Sequence, residues 1–181
     1  MRSRWQAAYD AVRQAHPAPW QVLFSSRIVV LPSPLAKIYG GAVTWLRWIC
    51  VGADLLEEAP DHVVKYVVAH EWGHVRCGHP FASVLILACA IITIWCPRTP
   101  QYALFGWAIG MAGLSMVVWV SRLTREFEAD DKAAESVGVD GVREGLLWMV
   151  THRAGGLNAD RRARLVRTGW IDSTSSLARH G

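Results

Sequence analysis

Residues 81–96 (FASVLILACAIITIWC) and 102–120 (YALFGWAIGMAGLSMVVWV) carry no charge, and only the short Pro97-Arg98-Thr99-Pro100-Gln101 segment separates them. A bilayer-crossing helix needs about 20 mostly apolar residues. The second block meets that length and the first is slightly short. The turn between them makes an antiparallel helical hairpin with both ends on one side. Trp95 and Tyr102 flank the turn, and Phe81 and Trp119 flank the far end, as an aromatic belt requires. Gly106, Gly110 and Gly113 would let the two helices approach closely. A buried core hairpin in a soluble protein is the competing reading. Composition favours the membrane over it, because two uncharged helices would need a larger soluble shell than the rest of the chain offers.

Of the 19 Lys and Arg, the turn holds Arg98 alone. The positive-inside rule therefore puts both flanks in the cytoplasm. The expectation is an integral protein of a bacterial inner membrane, in contact with lipid, with its chemistry on the cytoplasmic side. Net charge of +4 fits attraction to an anionic bilayer. No nucleic-acid-binding motif is present, so nucleic acid is excluded as a partner. Cys50, Cys77, Cys89 and Cys96 form no CxxC pair and read as free thiols in a reducing compartment.

The remaining segments read as one domain, residues 1–181, with 81–120 inserted. Trp5, Ala8, Tyr9 and Val12 recur at helical spacing, and Pro17 and Pro19 end that first helix. This face would pack on the domain. Residues 21–31 read as a strand, and residues 43–51 as a second strand closed by Gly52. From Asp61 to Cys77 the pattern is helical, with Val63, Val67, His70 and His74 on one stripe and Gly78 as the stop. Residues 121–137 form a charged helix continuing from the second span and ending at Gly138. Residues 142–152 form another helix, capped by Asp140, and residues 158–170 a basic one.

Residues 70–74 read His-Glu-Trp-Gly-His. Two imidazoles four residues apart project from one helix face and can donate two nitrogens to one tetrahedral Zn2+. Glu71 lies about 100 degrees further round the helix. Its carboxylate falls beside the metal, where it can serve as a general base. Two buried imidazoles and a Glu without a metal would leave costly polar groups.

A zinc site needs a third protein ligand. His79 stands one residue before the position that a metzincin HExxHxxGxxH pattern demands, which here is Pro80, so that class is rejected. Glu126 and Asp130 form an ExxxD pair on one helix face. Glu126 would bind zinc, and Asp130 would accept the free N–H of a ligand histidine. Cys77 reads as a structural thiol.

Together these segments resemble the gluzincin metallopeptidases of the HtpX-like and type I CAAX prenyl protease group. The resemblance rests on residues 67–79 (VVAHEWGHVRCGH), the apolar hairpin and residues 121–134 (SRLTREFEADDKAA), and it covers roughly residues 20 to 140. It implies an α+β fold: a mainly helical zincin-like domain with a small β-sheet and an inserted transmembrane hairpin. It implies one Zn2+ per chain held by His70, His74 and Glu126, with Glu71 as base and Asp130 behind the ligands. It implies that the strand around residues 43–48 pairs with an extended protein or peptide substrate. The family's Asn-Ala-Phe-Ala-like segment is replaced by residues 35–39 (LAKIY). The family's C-terminal His-Pro…Arg element aligns with residues 158–164, with Asn158 at the His and Arg164 at the Arg. Arg164 would then assist the oxyanion.

The expected function is zinc-dependent hydrolysis of peptide bonds in membrane or membrane-proximal proteins. Two alternatives stay open: a proteolytic sensor dedicated to one partner, and a non-catalytic membrane adaptor that retains the motif.

Overall fold

The computed structural model describes residues 2–19, 27–32, 42–45, 48–80, 100–152, 163 and 165–170. Among them the chain is mostly helical with one small sheet. Helix α1 spans Arg2–Ala15, and strands β1, β2 and β3 span Arg27–Leu31, Ala42–Trp45 and Trp48–Gly52. Helices α2, α3 and α4 span Ala53–Glu58, Asp61–Arg76 and Pro100–His152.

The sheet order is β1-β3-β2. Strand β1 runs parallel to β3, and β2 antiparallel to it. The single strand expected over residues 43–51 is thus two strands. Trp45 pairs with Trp48, so the chain reverses between them. The two residues between them in the sequence are Leu and Arg, with none of the Gly, Asn or Pro that usually mark a hairpin turn. The first expected strand is described only from Arg27 onward; residues 21–26 lie outside the described residues.

Helix α3 is the axis of the domain. Val63, Val64, Val67, Val68 and Val75 are buried along it, with Trp72 fully so. Every turn of α3 thus buries apolar surface, which the sheet, α1 and α4 cover from different sides. The apolar stripe of α1 packs on the domain, as its spacing implies: Trp5 and Tyr9 are fully buried. Tyr9 meets Trp72 edge to face, with ring centroids 5.5 Å apart. The Trp72 indole N–H donates to the His16 carbonyl at 2.7 Å, and the Arg4 guanidinium donates to the Ala59 carbonyl at 2.8 Å. These bonds tie α1 and the residue after it to the end of α2 and to the C-terminal half of α3. Helix α2, which the sequence pattern did not suggest, fills the step from β3 to α3 with buried Leu55 and Leu56.

Helix α3 ends at Cys77, and Gly78 turns the chain with φ 73°. Glycine adopts that left-handed conformation without steric cost, so it is suited to stop a helix. Residues 81–99, which hold the first apolar block and most of the turn, lie outside the described residues. The second block is helical and forms the first part of α4. Helix α4 continues through the charged segment to a break at Gly138 (φ 77°, ψ 163°), then resumes to His152. Among the residues whose side chains are described, no helix is long and apolar enough to cross a membrane.

Helices α3 and α4 come into close contact at two glycines. A Cβ on Gly73 would stand 2.8 Å from the Ala129 carbonyl oxygen and 3.0 Å from its Cα. A Cβ on Gly145 would stand 2.4 Å from the Tyr66 ring. Gly73 therefore lets α3 touch the backbone of α4, beside the residues that carry the site.

Candidate metal centre

His70 and His74 stand one turn apart on α3, and Glu126 faces them from α4. The Glu126 Oε2 atom lies 3.4 Å from His70 Nε2, and its Oε1 atom lies 3.5 Å from His74 Nε2. The three side chains each offer a ligand atom, all within 4.8 Å of one another. The two imidazole rings cross at 88° with centroids 4.9 Å apart.

These separations decide what the centre suits. A charge-assisted N–H···O bond closes to about 2.7–2.9 Å. Two donors on a tetrahedral zinc, each about 2.0–2.2 Å from it, stand roughly 3.3 Å apart. The observed 3.4 and 3.5 Å fit the second case and are long for the first. One carboxylate and two borderline nitrogen donors form a set suited to Zn2+.

His70 is oriented from behind. Its Nδ1 lies 2.9 Å from Asp130 Oδ1. An ionised carboxylate only accepts, so His70 Nδ1 carries the proton and Nε2 keeps its lone pair toward Glu126. Asp130 is nearly fully buried and also receives the Tyr66 hydroxyl at 3.3 Å. His79 contacts the other ligand histidine: its Nδ1 lies 2.7 Å from His74 Nδ1, and its Nε2 lies 2.8 Å from Glu128 Oε2. Burial pushes the His79 imidazole below its usual pKa, against the opposing pull of Glu128.

Glu71 is buried beside the centre. Burial is the first cause that raises its carboxyl pKa, and the Glu126 charge adds to it; His70 and the Thr44 hydrogen bond oppose. The Thr44 hydroxyl, on edge strand β2, lies 2.6 Å from Glu71 Oε2 and 3.1 Å from the Glu71 backbone carbonyl. One hydroxyl proton serves both, and the shorter contact takes most of it. β2 therefore sets the orientation of Glu71 and, among the described residues, borders the site as an edge strand of the sheet.

The structure thus brings His70, Glu71, His74, Glu126 and Asp130 together. Arg164 lies outside the described residues. Sequence reasoning set His79 aside as a third ligand, and the structure places it behind His74. It did not anticipate Thr44, Gly73 or Glu128 at the site. Cys77 is near His79 and Glu128, and burial raises its thiol pKa. Cys50 and Cys77 are free thiols, while Cys89 and Cys96 lie outside the described residues.

Two histidines from one helix and a glutamate from a second, with a buried carboxylate alongside, define a site of the metallopeptidase kind. The sequence profile of peptidase family M48 matches residues 12–161, and the chain belongs to that family. M48 peptidases are zinc-dependent, which agrees with the donor set. No curated protein and no solved structure matches the chain significantly.

Proposed function

We propose that this chain is a zinc-dependent endopeptidase of the HtpX-like or CAAX-protease type, anchored in a membrane by residues 81–120. The observation that carries the catalytic part is the placement of the Glu126 carboxylate oxygens 3.4 and 3.5 Å from His70 Nε2 and His74 Nε2, with Glu71 beside them. His70, His74 and Glu126 would hold one zinc ion. When bound, it supplies Lewis acidity that polarises a carbonyl and acidifies water.

The chain's own residues supply the rest. Glu71 takes a proton from the water as its oxygen attacks the scissile carbonyl carbon. It then delivers that proton to the amine as the C–N bond breaks. Thr44 holds Glu71 for that transfer. An extended substrate would pair with β2, the edge strand among the described residues, and run past the centre. Arg164 is the candidate for oxyanion support.

The anchoring rests on the two uncharged blocks and on the one-sided distribution of Lys and Arg. Glu126 lies six residues beyond Val120 on α4, which at helical rise is roughly 9 Å. A site that near a bilayer surface suits membrane or membrane-proximal proteins as substrates, on the cytoplasmic side of a bacterial inner membrane.

The test is to purify the chain in detergent and measure zinc content together with cleavage of casein or of itself. Wild type should hold one zinc and cleave. Glu71→Gln should keep zinc and lose cleavage, and Glu126→Ala should lose zinc. Full cleavage by Glu71→Gln would remove the mechanism.

A further inference from the structure

We infer that His79 and Glu128 are positioning residues for His74, joined in a hydrogen-bond relay that fixes its tautomer. The relay rests on the reading of the centre as a zinc site, and it goes beyond the ligand set.

The inference begins with the shortest contact. His74 Nδ1 and His79 Nδ1 stand 2.7 Å apart. Two lone pairs cannot face each other at that distance, and neither can two N–H groups, so one proton lies between them. The carboxylate decides which ring owns it. Glu128 accepts from His79 Nε2 at 2.8 Å, so that nitrogen carries the hydrogen. A neutral imidazole has one N–H, and the His79 Nδ1 atom is therefore an acceptor. The proton between the rings belongs to His74 Nδ1. His74 Nε2 is then left with its lone pair, and it lies 3.5 Å from Glu126 Oε1.

The opposite arrangement would block the site. With Glu128 removed, His79 can hold its proton on Nδ1 and donate it to His74. His74 would then carry its own proton on Nε2, where a metal must bind. The relay thus selects the metal-competent form of a ligand whose Nδ1 is linked to a carboxylate through a second imidazole.

Local structure explains why His79 reaches back. On a continuing helix a residue five positions on would point about 140 degrees away from His74. The left-handed turn at Gly78 breaks that progression, and the two rings meet with centroids 5.0 Å apart. Cys77, His79 and Glu128 could also be imagined as a second metal group. The 2.8 Å contact argues for the relay, because it is a hydrogen-bond length and shorter than the roughly 3.3 Å edge of a tetrahedral zinc site.

The experiment uses the full chain in detergent micelles. In the metal-free protein, long-range 1H–15N correlations of the His74 ring report its tautomer. Wild type should show the Nδ1–H form, and Glu128→Ala, which removes the acceptor, should shift His74 toward the Nε2–H form. Competition with a chromophoric chelator should show zinc binding weakened about tenfold by Glu128→Ala and up to about a hundredfold by His79→Leu, the range for groups behind metal ligands. His79→Asn places an amide oxygen where Nδ1 was and should recover most of the affinity. Glu128 is half exposed, so its variant tests the relay even if His79→Leu fails to fold.

An Nε2–H tautomer at His74 in wild type would overturn the relay. So would unchanged zinc affinity in Glu128→Ala, or a second equivalent of zinc that Cys77→Ser abolishes. A wild-type chain that takes up no zinc overturns the zinc reading instead, and the tautomer measurement still decides the relay.

Discussion

The two ligand histidines sit one turn apart on the same helix, yet they are held differently. His70 is bonded straight to Asp130, a buried carboxylate that also receives Tyr66. His74 Nδ1 is linked through His79 to a carboxylate, Glu128, whose side chain is 52% exposed. The first arm is short and dry, so its geometry is set by packing. The second is longer and ends in water, so screening and side-chain mobility weaken it. The difference shows how one helix pair can pin a metal centre firmly on one side and leave it adjustable on the other.

The largest effect falls on the residue that serves neither arm. Glu71→Gln should lower peptide cleavage by about 10²–10⁴-fold, the usual contribution of a general base, with zinc content unchanged. A variant that lost zinc would make Glu71 part of the holding apparatus. Next comes the dry arm. Asp130→Ala should weaken zinc binding about 10- to 100-fold in chelator competition, and it should cost more than Glu128→Ala does. Equal losses would erase the distinction between the arms.

Gly73→Ala tests the contact that serves both arms. The new methyl group meets the Ala129 backbone, which cannot swing aside as a side chain can. The expected loss is about 1–3 kcal/mol of unfolding free energy, read from chemical denaturation, together with weaker zinc binding. A silent substitution would mean that α3 and α4 are not closely seated there.

The smallest effect concerns the metal-free protein. Burial raises the Glu71 pKa above its ordinary value of 4.5. The ionised form is thus disfavoured in the folded state. Its contribution to stability is fully present below pH 4.5 and is lost as pH rises through the raised value. Glu71→Gln should therefore stabilise the metal-free chain at neutral pH by about 1 kcal/mol, the scale of gains at strained functional sites. The gain should vanish in acid. A variant less stable than wild type at pH 7 would contradict that sign.

Much of this centre was legible because its signals are local. The HExxH spacing puts two imidazoles on one helix face, ExxxD does the same for two carboxylates, and Gly78 marks the end of α3. Their meeting across some fifty residues was inferable only because no nearer third ligand fits. The reversal between Trp45 and Trp48 was hidden by an unbroken run of β-forming residues, in which cross-strand pairing, not turn chemistry, sets the break. Thr44 and Gly73 were invisible for a related reason. A threonine in a strand and a glycine in a helix take their roles from what packs opposite, and the sequence does not state that neighbour. His79 did leave a signal, five residues past His74 with a glycine between, but it was tested only as a ligand.

The central claim is that His70, His74 and Glu126 share one divalent ion. X-ray absorption at the zinc edge, on full-length protein loaded with one equivalent, tests it most directly. The account predicts two imidazole nitrogens and carboxylate oxygen at about 2.0–2.2 Å, with the imidazole signature halved in a His74→Gln sample. A sulfur shell at about 2.3 Å, which would place the ion at Cys77, would contradict it.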